Sequence, residues 1–309
     1  MNKSIIFDEF FEYRIIDKKA GGMGEVLILE RISEPQEMDF IHKKRIAAKT
    51  FKEGDNKKDN KQFFERELNV WLNFDNNVFE NKKIVKLLRT TYIRQKLYAL
   101  MPFYQQSVAE IITEKGRIEL NDSLSILLNV VEALKTIFEK YGVVHQDLKP
   151  TNILCKKGFK GQVECHVSDW GISNIQLNAC SEIPTEKWLP SSFVEIMSTT
   201  GTLPYMSPER LFGAPSNMLA DVYSIGLIFF ELLFGFLPLN PNFQKPMERQ
   251  ILEGDYFEAA CWTLKKGIKN PNIITVIQKC IHPDPRERYS DYKSLEKALK
   301  KLNRKWLSF

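Results

Sequence analysis

The chain is organised around one stretch, His145-Gln146-Asp147-Leu148-Lys149-Pro150-Thr151-Asn152. It follows an apolar helical pattern at residues 124–141 and precedes the apolar pair Ile153-Leu154. It sets a carboxylate, an ammonium and an amide, those of Asp147, Lys149 and Asn152, at spacings of two and three residues. Proline fixes its own φ angle and holds the preceding residue extended. The sequence therefore predicts a stiff polar loop between a helix and a short strand.

This stretch resembles the catalytic loop of the eukaryotic-like (Hanks-type) serine/threonine protein kinases, which usually reads His-Arg-Asp where this chain has Gln146. The resemblance implies that Asp147 orients a hydroxyl nucleophile and takes its proton. It further implies that Lys149 neutralises the moving phosphoryl group and that the Asn152 amide oxygen ligates Mg²⁺. A solvated Asp and Lys after a helix is the alternative for so short a match. The order of the other motifs therefore decides between the two.

Composition places the chain among ordinary globular proteins of one or two domains. It has 309 residues, 43% hydrophobic and 27% charged, with a net charge of +5. The basic residues are interspersed with acids, which argues against nucleic-acid binding. No window approaches the roughly 18 consecutive apolar residues of a membrane span, and the N-terminus lacks the apolar core of a signal peptide. We therefore expect a cytoplasmic protein.

The cysteines are odd in number and show no paired spacing; they are Cys155, Cys165, Cys180, Cys261 and Cys280. We expect reduced thiols and no metal site formed by the protein alone.

The pattern of residues 11–50 predicts antiparallel strands broken by a glycine cluster. Glycine lets the backbone approach a phosphate closely. By resemblance this is the nucleotide-binding glycine loop, with Lys19 in place of its first glycine; a simple hairpin turn is the alternative. The implied ATP-binding residues here are Lys19, Ala20, Gly21, Gly22, Gly24 and Val26.

The run Ile46-Ala47-Ala48-Lys49 resembles the kinase strand whose lysine holds the α- and β-phosphates. The family pairs this lysine with a helical glutamate, for which helical phase favours Glu67, with Glu65 as the alternative. The resemblance adds Ala47 to the ATP site and puts Met101 at the back of its pocket. It also implies that backbone groups of Pro102 and Tyr104 bind adenine.

In the second half, Ser168-Asp169-Trp170-Gly171 resembles the Asp-Phe-Gly motif of the family. Asp169 is then the principal Mg²⁺ ligand, and Asn152 is the other. A lone Asp-x-Gly is more often only a turn. Its position after the catalytic loop favours the metal site.

Residues 201–209 resemble the end of the kinase activation segment, in a form with Thr202 that is typical of serine/threonine kinases. Ser198, Thr199 and Thr200 are candidate phosphorylation sites. Because Gln146 cannot make the charge-assisted pair of an arginine, we expect activity to depend little on their phosphorylation; the alternative is that another cation takes over.

Three further residues have structural roles by resemblance. Asp221 bonds to the backbone of the catalytic loop, and Glu209 pairs with Arg288 in a buried ion pair.

The resemblance runs from about residue 11 to 303 and implies an α+β, bilobal protein-kinase fold. A small antiparallel sheet lobe with one helix covers about 11–101, a hinge about 102–105, and a larger, mainly helical lobe about 106–303. Residues 1–10 form an N-terminal extension and 304–309 a tail. The sequence of the glycine loop most resembles that of bacterial members of the kinase family.

The implied activity is transfer of the γ-phosphate of ATP to Ser or Thr hydroxyls of protein substrates, autophosphorylation included, with Mg²⁺ or alternatively Mn²⁺. A pseudokinase scaffold and a small-molecule phosphotransferase of related fold stay open as alternatives. The complete motif set argues against the first, and the resemblance of residues 201–209 to a protein-substrate docking segment argues against the second. The oligomeric state is not predicted.

Overall fold

A computed structural model of the chain describes residues 5–8, 11–20, 24–32, 44–52, 57–74, 83–157, 163–170, 202–214, 217–238 and 245–304. A sheet-rich N-terminal lobe leads through Pro102 to a larger helical lobe. The predicted α+β, bilobal architecture is confirmed.

Six antiparallel strands form the N-terminal sheet, in the order β1-β2-β3-β4-β6-β5. Their bounds are β1 Ile5–Phe7, β2 Glu12–Ala20, β3 Gly24–Arg31, β4 Arg45–Phe51, β5 Arg89–Ile93 and β6 Lys96–Pro102. The sequence placed residues 1–10 outside the domain, whereas β1 is the edge strand of this sheet. Its register sets Ile6 opposite Tyr13, and both are buried. Burial of this pair explains why so short a strand joins the sheet.

The helices are α1 Lys57–Leu72, α2 Val108–Lys115, α3 Leu120–Tyr141, α4 Pro208–Leu211, α5 Met218–Phe234, α6 Met247–Leu252, α7 Asp255–Gly267, α8 Pro271–Cys280 and α9 Tyr292–Arg304. The predicted apolar stripe of α3 is buried, and the helix ends at Gly142 in the left-handed region with φ 66°. The helix begins at Leu120, with Glu119 at its N-cap. None of the helices in the described ranges has the length and hydropathy that crossing a membrane requires.

A second sheet contains three strands, β7 Gln106–Ser107, β8 Ile153–Lys157 and β9 Val163–Val167, and β8 begins directly after the catalytic loop. The expectation of reduced thiols is wrong for Cys155 and Cys165, which form a disulfide. They lie opposite each other in the antiparallel β8–β9 ladder, with Cα atoms 4.3 Å apart. Cys261 and Cys280 are free thiols.

Two sets of contacts join the C-terminal end of α1 to the end of β9 and the residues that follow it. The indole Nε1 of Trp71 donates to the carbonyl of Val85, and the Val85 amide donates to the carbonyl of Val167 at 2.9 Å. The ring of Phe74 packs edge-on against Trp170, whose ring lies 4.8 Å from that of His145. The end of α1 is therefore linked to His145 of the catalytic stretch through Phe74 and Trp170.

The pairing expected between Arg288 and Glu209 is present. The guanidinium donates from Nη1 and Nη2 to the two carboxylate oxygens at 2.7 and 2.8 Å. It also donates to the carbonyls of Leu219, His282 and Pro283. This side chain is fully buried, so its hydrogen bonds satisfy a charge that water cannot reach.

Replacing Arg288 with Met should leave Glu209 as an unpaired, mostly buried carboxylate. We expect Arg288→Met to lower the free energy of unfolding by about 3–5 kcal/mol, measured by urea denaturation. The matched control is Arg286→Met, because Arg286 is an exposed arginine paired with Asp284. Equal midpoints for the two variants would contradict a structural role for the buried pair.

Candidate active site

Asp221 holds the backbone of the catalytic loop. Its carboxylate is completely buried at the first turn of α5 and accepts hydrogen bonds from the amides of His145 and Gln146, each at 2.8 Å. The hydroxyl of Tyr292 in α9 donates to the same carboxylate at 2.7 Å. Gln146 has φ 70°, a conformation that non-glycine residues rarely adopt. The three hydrogen bonds to Asp221 maintain this strained turn.

His145 joins the loop to the residue before Asp169. Its Nε2 lies 2.8 Å from the carbonyl oxygen of Ser168, and the Asp147 amide donates to its Nδ1 at 3.3 Å. Because a carbonyl only accepts, the ring proton is on Nε2. The imidazole thus holds the catalytic loop next to the residue that precedes Asp169.

The side chains of Asp147, Lys149, Asn152 and Thr202 form one buried network. Lys149 Nζ donates to Thr202 Oγ1 at 2.7 Å and lies 3.1 Å from Asp147 Oδ2, while Thr202 donates to Asp147 Oδ1 at 2.6 Å. The Asn152 amide nitrogen donates to the Asp147 carbonyl at 2.8 Å and to Oδ2 at 3.2 Å. The network holds the carboxylate of Asp147 beside an ammonium.

Asn152 and Asp169 offer oxygen ligands of the kind that Mg²⁺ prefers. Because Asn152 donates through its nitrogen, its amide oxygen is directed away from Asp147. Asp169 has φ 65°, and its side chain is about one third exposed. In the described part of the chain no group of three or more His, Cys, Asp or Glu side chains could hold a metal. A carboxylate and an amide oxygen, completed by phosphate and water, fit Mg²⁺ or Mn²⁺.

Lys49 reaches from β4 of the N-terminal lobe to the C-terminal lobe. Its Nζ lies 2.6 Å from Glu67 Oε1 and 2.6 Å from Asp169 Oδ1. Glu67 is therefore the helical partner, and Glu65 instead pairs with Lys61 on the surface of α1. Burial acts to lower the pKa of Lys49, but the carboxylates of Asp169 and Glu67 outweigh it and hold that pKa above its ordinary value. The same ammonium keeps the pKa of Asp169 below its usual range against the effect of burial.

Other residues predicted for ATP binding lie on the strands next to Lys49 or near the ends of strands in the same sheet. Val26 pairs with Lys49 across β3 and β4, and Ala47 pairs with Met101 across β4 and β6. Pro102 ends β6, and Tyr104 follows it. Ala20 ends β2 and Gly24 begins β3, on either side of residues 21–23.

Lys19 of β2 makes an ion pair across the two lobes, with its Nζ 2.5 Å from Glu110 Oε1 of α2. Glu110 also caps α2 together with Ser107. Gly21 and Gly22, and the candidate phosphorylation sites Ser198, Thr199 and Thr200, lie outside the described residues.

Sequence reasoning missed three residues that support the site: Tyr292, Ser168 and Arg210. Tyr292 and Ser168 act through the contacts given above. Arg210 is almost fully buried, and its Nη1 donates to Gln146 Oε1 at 2.8 Å. Each contact joins positions far apart in the chain. The available signal was an arginine directly after the Ser-Pro-Glu run at residues 207–209.

Comparison with known proteins agrees with this geometry. The model of the protein kinase domain matches residues 37–307. Mitogen-activated protein kinase kinase 1 of Arabidopsis thaliana is 29% identical over 198 residues, covering 63% of this chain and 51% of that protein. A probable serine/threonine-protein kinase of Clostridium perfringens is 26% identical over 278 residues, covering 86% of this chain and 37% of that protein.

The fold also matches a solved structure, that of Rad53 residues 1–466 in complex with AMP-PNP. The TM-score is 0.62 at 22% identity, with 94% of this chain and 63% of that chain covered. The chain spans about half of the plant relative and about a third of the bacterial one. Because the family model covers most of the sequence, the chain belongs to the protein kinase family.

The Lys49 pair generates a prediction that separates the two glutamates of α1. Glu67→Gln removes the charge next to Lys49 and leaves the ammonium held by Asp169 alone, away from a bound phosphate. We expect kcat/KM for phosphoryl transfer to fall by about 10- to 100-fold. Glu65→Gln makes the same chemical change at an exposed position and should leave kcat/KM unchanged. Equal losses in both variants would show that Glu67 has no special role.

Proposed function

We propose that the chain is an ATP-dependent serine/threonine protein kinase. The observation that supports this most strongly is the convergence of Asp147, Lys149, Asn152 and Asp169 with Lys49, which reaches them from the opposite lobe. Phosphoryl transfer depends mainly on positioning and on charge stabilisation, and this set supplies both.

In the proposed reaction Asp147 accepts the proton of a substrate hydroxyl. The hydroxyl oxygen forms a new bond to the γ-phosphorus, and the bond from that phosphorus to the β–γ bridging oxygen breaks, so that ADP leaves with the electron pair. Thr202 and Lys149 hold the Asp147 carboxylate in place through the contacts described above. The ammonium of Lys149 stabilises the charge that develops on the transferred group.

The nucleotide is held by both lobes in this proposal. Lys49 binds the α- and β-phosphates, Asn152 and Asp169 hold Mg²⁺ or Mn²⁺, and backbone groups of Pro102 and Tyr104 bind adenine. The glycine loop, with Lys19, Ala20, Gly21, Gly22, Gly24 and Val26, covers the phosphates. When bound, the metal neutralises phosphate charge. Lys49, kept protonated by its two carboxylates, supplies a fixed positive charge on the other side.

The preference for serine and threonine hydroxyls rests on Lys149, which lies two residues after Asp147 and contacts Thr202. The name of the Clostridium perfringens relative, a probable serine/threonine-protein kinase, supports the same substrate class. We propose autophosphorylation as well, and a kinase domain at about residues 11–303, extended by β1. Activity that depends little on phosphate at Ser198, Thr199 or Thr200 also stays a proposal.

The direct test is transfer of labelled γ-phosphate from ATP with Mg²⁺ to casein and to the chain itself. Asp147→Asn should lower kcat by about 10²- to 10⁴-fold, the usual effect of losing a proton acceptor. Asp169→Ala should abolish transfer through loss of the metal ligand. The matched control is Asp122→Asn, the same change at an exposed position of α3, which should keep full activity.

The two alternative functions give different results in this assay. Nucleotide binding without transfer to any acceptor would identify a scaffold. Transfer to small hydroxyl compounds but not to proteins would identify a small-molecule phosphotransferase.

A further inference from the structure

Arg210 is an arginine in an unusual environment. It lies in α4 with 3% of its surface exposed, and Nη1 makes its one side-chain hydrogen bond within the described residues, to Gln146 Oε1 at 2.8 Å. Nε is buried and has no hydrogen-bond partner in that part of the chain. No carboxylate of the described residues forms an ion pair with this guanidinium within 4.0 Å. Burying a guanidinium in this way is costly, so its position needs a cause beyond packing.

The charges around Arg210 supply that cause. Burial lowers the pKa of Arg210, and the carboxylates of Asp221, Glu209 and Asp147 act against this effect. Glu209 is already paired with Arg288. Asp147 follows Gln146 directly in the catalytic loop, and Asp221 binds the backbone of that loop. An arginine remains charged even when buried. The guanidinium therefore adds a positive charge to a group of buried carboxylates at the catalytic loop.

We propose that Arg210 is a positioning residue for Asp147 and replaces the arginine absent at position 146. The charge comes from α4, at the end of the activation segment, instead of from the catalytic loop itself. Through Gln146 it orients the strained turn that leads into Asp147. This inference rests on the proposed kinase function, and it adds a residue that the motif comparison did not identify.

The proposal predicts that arginine and glutamine can be exchanged between positions 146 and 210 with little loss of kcat. Arg210→Gln should lower kcat by about 10- to 100-fold with the KM for ATP within about twofold, because the nucleotide site is untouched. Gln146→Arg sets two guanidinium groups against each other and should lower kcat similarly. The double variant Gln146→Arg/Arg210→Gln keeps one cation and one amide in contact. It should restore kcat to within about threefold of wild type, a coupling that independent effects do not give.

Controls separate this proposal from the one on which it rests. Wild-type turnover with loss in Asp147→Asn shows that the assay reports the proposed reaction; without wild-type turnover, the kinase function itself fails. Arg249→Gln, at an exposed position of α6, should leave kcat unchanged. Thermal melting of every variant shows whether it is folded. A purely structural Arg210 predicts that kcat follows melting temperature and that the double variant is the worst of the set.

A folded double variant with kcat no higher than the single variants contradicts the proposal. If the double variant does not fold, Arg210→Lys decides, since it keeps the charge with a different shape. Retention of at least about one third of wild-type kcat supports a role for the charge, whereas a loss as large as that of Arg210→Gln overturns it.

Discussion

The ion pairs of Lys49 are the interaction on which the account of the site depends. One ammonium connects β4 and α1 of the N-terminal lobe with Asp169 of the C-terminal lobe, 120 residues later in the chain. The pairs are largely shielded from water, so each charge is stabilised mainly by the others. The ion pairs therefore hold the two lobes so that the ammonium of Lys49 faces the oxygen ligands of Asn152 and Asp169. Binding of a phosphate chain needs this arrangement. An ordinary ion pair on the surface does not need to join the two lobes in this way.

A second constraint acts inside the C-terminal lobe, where buried hydrogen bonds maintain strained backbone at the site. Gln146 and Asp169 have positive φ. Gln146 follows His145 and Asp169 follows Ser168, and these two preceding residues are hydrogen-bonded to each other. Asp221 secures the first turn through two amides, and His145 ties the second to it through Ser168. The strain persists because these partners are buried and fully ordered by packing.

Much of the fold could be predicted from the sequence because its determinants are local. Alternating apolar residues mark the strands, and apolar residues at helical spacing mark α3. Helical phase alone favoured Glu67 over Glu65 as the partner of Lys49. Contacts that depend on register or on tertiary packing could not be predicted. The Cys155–Cys165 disulfide depends on the register between β8 and β9, and the Arg210–Gln146 contact joins positions 64 residues apart. Strand β1 was missed because three residues carry too weak a pattern; burial of Ile6 in the completed sheet stabilises it.

The central claim is that Lys49, Asn152 and Asp169 converge on one metal-bound nucleotide, and calorimetric titration with a non-hydrolysable ATP analogue tests it most directly. The account predicts saturable binding with Mg²⁺ that weakens by at least about tenfold, or 1.4 kcal/mol, in EDTA, in Lys49→Met and in Asp169→Ala. Absence of saturable binding to the wild-type chain, or equal affinity under all these conditions, would contradict it.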